Sequence, residues 1–197
     1  MGLYTIKPRF QKLINNLVNL SLRYHLQPDF YTYGACLASL FALISIWIGL
    51  KINPFFLLLV FPFCFIRILF NALDGLVARA YQSNDPLGRI KNELGDRTSD
   101  LIIFSGLFPL PEANCYLINA VLVLMQFSSY LGILNTKRIY AGFMAKADRM
   151  LYLSLFFFLR AFFSNSLFTN AFLLFIIAGL LETVIVRLRL IMMEGLQ

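Results

Sequence analysis

Charge is the scarcest property of this sequence. Only 14% of the residues are charged, while 59% are hydrophobic and the mean hydropathy is +0.74. Soluble domains carry roughly 25% charged residues. So little polar surface does not cover a water-soluble fold of 197 residues, and lipid becomes the solvent for most of the chain. Histidine occurs once, as His25, read as an interfacial residue and not a ligand. Cys36, Cys64 and Cys115 are an odd set without a C-x-x-C pair, so no disulfide and no zinc site is assigned. Cys36 and Cys64 lie in apolar runs, where cysteine behaves as a small hydrophobe. Acidic residues are outnumbered, 10 against 17 basic, giving a net charge of +7. In a soluble protein that balance would suggest nucleic acid. Here the basic loops of a membrane protein account for it, and no nucleic-acid partner is expected. No cleavable signal peptide is expected either, because Lys7, Arg9, Lys12, Asn15, Asn16 and Arg23 interrupt the first apolar stretch.

What is abundant is the apolar run. Residues 7–24 read as an amphipathic helix too polar to span, suited to the headgroup plane. Pro28 breaks it. Six spans follow, near 32–50, 54–70, 87–110, 116–134, 151–163 and 171–186. The third is polar before Leu101, and Ser83-Asn84-Asp85-Pro86 marks a turn ahead of it. Several spans fall short of the ~20 residues that a bilayer core requires, so polar helix ends should project or face a cavity. The expected class is an all-α integral membrane protein: one membrane domain over residues 1–197, six transmembrane helices and an N-terminal interfacial helix.

Loop charges orient it. Lys7, Arg9, Lys12 and Arg23 precede the first span; Arg79, Arg89, Lys91 and Arg97 lie between the second and third. Lys137, Arg138, Lys146 and Arg149 lie between the fourth and fifth, and Arg187 and Arg189 follow the sixth. Of the opposite loops only one holds a cation, Lys51. Both termini are therefore expected in the cytoplasm.

The second and third spans break the apolar rule together, at their cytoplasmic ends, from Asn71 to Asp100. Ionisable groups at membrane depth are costly and usually functional. At about 100° per residue, Asn71, Asp74, Gly75 and Ala78 share one helix face. Gly88, Asn92, Glu93, Asp96 and Asp100 form a stripe on the next helix. Carboxylates so close repel unless a cation neutralises them, and hard oxygen ligands suit Mg²⁺, Mn²⁺ or Ca²⁺. Gly75, Ala78 and Gly88 let helices or a ligand approach, and Arg79 is placed to hold a phosphate.

These residues resemble the CDP-alcohol phosphatidyltransferase family, whose motif is D-x-x-D-G-x-x-A-R, eight residues, then G-x-x-x-D-x-x-x-D. Asp74, Gly75, Ala78, Arg79, Gly88 and Asp96 stand at that spacing. Asn71 and Asn92 replace its first and third aspartates, which marks a divergent member. The match is specific over residues 71–96 and architectural elsewhere, including a Pro28-Asp29 stretch like that before the family's first span. The resemblance implies transfer of a phosphatidyl-type group from a CDP-linked lipid donor to a small alcohol, with release of CMP, in phospholipid biosynthesis. It implies Mg²⁺ or Mn²⁺, as one or two ions, and Asp96 as general base. The ligands would be Asn71, Asp74, Asn92 and Asp96, joined by Glu93 and Asp100. Asp74, Gly75, Ala78, Arg79 and Gly88 would bind the nucleotide. Family members often pair, so a homodimer is a candidate partner besides membrane lipids.

The two asparagines leave three alternatives open. Glu93 and Asp100 restore the lost charge one turn along; a single metal binds; or activity is lost and the pocket binds nucleotide or lipid without turnover. A small transporter is a further rival, but it would scatter charges through several spans. Arg67, one turn before Asn71, is read as binding phosphate or pairing with a carboxylate of the cluster. Lys137, Arg138 and Arg149 are candidate clamps for a phosphorylated acceptor. Arg160, deep in the fifth span, needs a partner that the sequence does not name. Glu182 and Thr183 in the sixth span are placed toward the bundle interior.

Overall fold

The computed structural model describes residues 14–82, 85–134 and 139–194. Among them there are seven α-helices and no strand: α1 (Asn15–Arg23), α2 (Pro28–Lys51), α3 (Val60–Ala80), α4 (Pro86–Ser105), α5 (Cys115–Leu131), α6 (Lys146–Arg160) and α7 (Ser166–Glu194). Three segments are long and apolar enough to cross a membrane: Pro28–Lys51, Pro54–Ala80 and Ser166–Met193. Cys115–Leu131 is a shorter apolar helix. Large apolar side chains, among them Leu37, Phe41, Trp47, Phe61 and Phe65, face outward on α2 and α3. That is costly in water and natural against acyl chains.

Helix starts follow local chemistry. α2 opens at Pro28 and not at Thr32, because proline at the first helical position has its φ pre-set and lacks an N–H that would go unbonded. Asn53 accepts from Phe55 N–H to open a 3-10 segment, Pro54–Leu59, which leads into α3. α3 continues through Asn71 to Ala80, so the polar residues extend the same helix. Asp85 caps α4 by accepting from the N–H groups of Leu87 and Gly88. The apolar run after Leu101 leaves the helix at Ser105. α7 extends beyond the expected 171–186 at both ends.

The chain divides into two compact units, with α1–α4 in one and α5–α7 in the other. In the first, α2 packs along both α3 and α4, and α1 lies on α3. The described part of the expected amphipathic segment is this α1; residues 7–13 lie outside the described residues. Ile14 and Val18 join Tyr31, Leu73 and Val77 in an apolar cluster, and Ser21 is hydrogen-bonded to the Tyr31 hydroxyl. Leu17 and Leu20 face outward. α1 ends with His25 in the left-handed conformation (φ 53°), and Leu26 N–H bonds back to Ser21 C=O, so histidine fills the place glycine usually takes. Small residues let α2 approach its neighbours. A Cβ on Gly34 would lie 2.5 Å from the Phe70 ring, and one on Gly106 would lie 2.6 Å from Ile46.

The second unit has its own polar ties. Arg160, partnerless in the sequence reading, is paired with Glu112, Nη2 to Oε1 at 2.7 Å. Asn170 donates to Glu112 C=O and accepts from Asn114 N–H. Thr183 is buried and accepts from Met144 N–H, while Glu182 is exposed and accepts from Phe143 N–H.

Candidate active site

The first unit holds every motif residue. Asp74 on α3 is buried and accepts a hydrogen bond from the Thr32 hydroxyl on α2. The methyl group of the same Thr32 touches α4: a Cβ on Gly95 would stand 2.7 Å from Thr32 Cγ2. One threonine thus contacts the α3 half of the motif at Asp74 and the α4 half at Gly95, next to Asp96. Below it, Ser99 Oγ donates to Cys36 Sγ, and Cys36 in turn donates to Gly95 C=O.

Arg67, on α3 two turns before Asp74, is fully buried. Its Nη2 is ion-paired with Asp100 on α4 and donates to the main-chain oxygen of Asp96 at 3.4 Å. Of the two readings the sequence left for Arg67, the carboxylate partner is realised. Among the described residues, its Nε and Nη1 have no hydrogen-bond partner. Glu93 is half-buried and bonded at 2.8 Å to Arg97, one turn along α4. The two carboxylates beyond the motif, Glu93 and Asp100, therefore each carry an arginine partner.

Asn71, Asn92 and Asp96 are half-buried. Among the described residues, no group of three or more His, Cys, Asp or Glu side chains is placed to hold a metal ion. With amides at 71 and 92, the motif's carboxylates here are Asp74 and Asp96. Gly75 faces open space, where a Cβ would meet nothing within 4 Å. Helix packing therefore does not require glycine there, and a ligand would use the room. Gly88 sits against the Asp85 cap, and Arg79 is exposed with its Nε on Gly75 C=O at 3.0 Å. Lys91 is paired with Asp29, joining the starts of α4 and α2.

The structure does not treat the acceptor cations alike. Lys137 and Arg138 lie outside the described residues. Arg149 belongs to the second unit, is buried, and donates to Met125 C=O and to the hydroxyls of Ser128 and Ser129. The sequence reading missed Thr32. The signal was present as a stripe of small and polar residues along α2, Thr32, Ala35, Ser39, Ala42 and Ser45, all buried. It also missed the Glu93–Arg97 pair, which its i,i+4 spacing announces.

No protein-family model matches the chain. Over 155 residues it is 36% identical to the inner membrane protein YnbA of Escherichia coli (strain K12), covering 77% of this chain and 76% of that protein. The chain belongs to the YnbA family. With that relative and the apolar helices together, this YnbA-family chain is a membrane protein. Its fold is that of Mycobacterium tuberculosis phosphatidylinositol phosphate synthase (PgsA1), a CDP-alcohol phosphatidyltransferase. The crystal structure of PgsA1 with CDP-DAG bound matches at a TM-score of 0.67 and 21% identity, over 90% of this chain and 92% of that one. The structure with manganese and citrate matches at 0.66 and 21%, over 88% and 86%. At this identity the likeness establishes the fold of the YnbA-family chain; its chemistry is argued from its own residues.

Proposed function

We propose that the chain is a metal-dependent CDP-alcohol phosphatidyltransferase that moves a phosphatidyl-type group from a CDP-linked lipid donor to a small alcohol, releasing CMP. The observation that carries this reading is the Thr32 junction, hydroxyl on Asp74 and methyl against Gly95. It ties both halves of the motif into one unit, beside the open space at Gly75. The donor set Asn71, Asp74, Asn92 and Asp96 is all oxygen and fits a hard cation, Mg²⁺ or Mn²⁺. The PgsA1 structures with CDP-DAG and with manganese lend support through a shared fold. Loop charges support a cytoplasmic pocket and cytoplasmic termini for a chain of six spans.

Asn71, Asp74, Asn92 and Asp96 would hold the metal ion, which when bound would supply charge neutralisation for the donor's pyrophosphate and the leaving CMP. Asp96 takes the acceptor's hydroxyl proton while that oxygen bonds to the phosphorus distal to the cytidine. The bond from this phosphorus to the CMP oxygen breaks, and CMP leaves. Gly75, Ala78 and Gly88 leave room for the nucleotide, and Arg79 at the rim engages a phosphate.

The test is incubation of purified protein with CDP-diacylglycerol, Mg²⁺ or Mn²⁺ and a panel of alcohols, scoring CMP. Release with one acceptor is expected. No release with any acceptor, but release from the Asn71→Asp/Asn92→Asp variant, would mark a protein that binds nucleotide or lipid without turnover.

A further inference from the structure

We propose that Thr32 is a positioning residue of the motif pocket: its hydroxyl holds the Asp74 carboxylate ready for a divalent ion, and its methyl, seated on Gly95, aims that hydroxyl. The inference rests on the metal-dependent reading above and adds a residue of α2 to a motif whose own residues lie on α3 and α4.

Three observations carry it. The Thr32 hydroxyl leaves its own helix. Hydroxyls inside helices commonly turn back to the carbonyl one turn earlier. Ser39 and Ser45 of the same α2 do so, donating to Ala35 C=O and Phe41 C=O. Thr32 donates instead to Asp74 Oδ2 on α3. The methyl has a seat of its own. A Cβ on Gly95 would stand 2.7 Å from Thr32 Cγ2, so the seat exists only because residue 95 lacks a side chain. Cys36, one turn along α2 from Thr32, donates to Gly95 C=O and ties that stretch of α4 to α2. Finally, Thr32 and Asp74 are both buried, so bulk water does not compete for the bond between them.

The stereochemistry joins these facts. Threonine carries its methyl and hydroxyl on one carbon, so holding the methyl directs the hydroxyl. The last torsion of an aspartate is broad. A hydrogen bond to one oxygen selects one orientation before any ion arrives. Groups that orient a metal ligand in this way are worth about 10–100-fold in metal affinity.

Mn²⁺ binding to the full-length protein in detergent, without donor or acceptor, reads this out by calorimetry, with the melting temperature measured beside it. Thr32→Val keeps the branched shape and loses the hydroxyl, and Mn²⁺ should bind at least about tenfold more weakly. Thr32→Ser keeps the hydroxyl and should stay within about threefold of the unmodified chain. A merely structural bond would lower the melting temperature and leave the affinity alone. Thr32→Ala repeats the test should Thr32→Val fail to fold. Gly95→Ala unseats the methyl and should weaken Mn²⁺ by about threefold or more, and Thr32→Ser/Gly95→Ala should regain most of that loss. Unchanged affinity without the hydroxyl, equal losses in Thr32→Val and Thr32→Ser, or no Mn²⁺ bound by the unmodified chain would overturn the proposal. In the CMP assay, the Mn²⁺ concentration for half-maximal release should rise in Thr32→Val by more than the saturated rate falls. CMP release from the unmodified chain judges the catalytic reading separately. Turnover with an affinity that Thr32→Val leaves untouched sinks only the inference, and the expected loss of affinity without turnover sinks only the enzyme.

Discussion

The guanidinium of Arg67 on α3 is hydrogen-bonded to the carboxylate of Asp100 on α4, and both side chains are withdrawn from solvent. The pair crosses from one motif helix to the other and gives the buried Asp100 a cationic partner.

Breaking this pair from one side should cost far more than replacing it. Arg67→Ala leaves a buried carboxylate without its cation, an effect of about 3–5 kcal/mol. Arg67→Met/Asp100→Leu should cost less than about 1 kcal/mol. Thermal unfolding in detergent compares the two, and equal losses would contradict the account.

Gly75→Ala separates ligand space from packing. The added methyl meets no neighbouring atom. Stability should hold or rise by up to about 1 kcal/mol, from helix propensity. CMP release should nevertheless fall at least tenfold, because the methyl occupies the nucleotide's room. A variant with unchanged activity would show that this space is not the ligand's.

The Thr32–Gly95 contact predicts a rescue. Gly95→Ala drives a methyl to 2.7 Å from Thr32 Cγ2 and should cost about 1–3 kcal/mol by separating α2 from α4. Thr32→Ser removes that methyl and keeps the hydroxyl that Asp74 accepts from. The double variant should recover most of the melting temperature, and failure to do so would place the strain elsewhere.

Asp96→Ala should lower the rate of CMP release by about 10²–10⁴-fold, as expected for a lost general base. Asp96 is half-buried, so unfolding should change little. A normal rate would end its assignment as base.

In the second unit, Glu112→Ala leaves Arg160 without its carboxylate and removes an acceptor from Thr169. A loss of about 1–3 kcal/mol is expected. Arg160→Met/Glu112→Leu should be milder, measured by the same unfolding assay.

Much of the helical layout was legible in the sequence. Apolar runs marked where the helices lie, and the turn signal ending at Pro86 marked the start of α4, whereas Pro28, read only as a break, is itself the first residue of α2. Ends were less readable. α4 stops at Ser105 with Gly106 as its C-cap, although the apolar stretch continues, and α7 carries its helix through Arg187 and Arg189 to Glu194, past the end of its apolar run. At the candidate site, motif spacing brought α3 and α4 to attention. It did not show Thr32 between them, since a threonine in an apolar run looks the same whether it faces lipid or a buried carboxylate.

Hydropathy and periodicity are properties of neighbouring residues, so the sequence by itself determined the lipid solvent, the helical class and where polar residues interrupt the apolar runs. Pairing depends on how helices distant in sequence are rotated against each other. Only the tertiary structure decided that Asp100 belongs to Arg67 and Glu112 to Arg160, and that Gly75 faces open space. Burial makes those choices matter: a charge withdrawn from water requires its partner nearby, and the fold alone determines which partner is within reach.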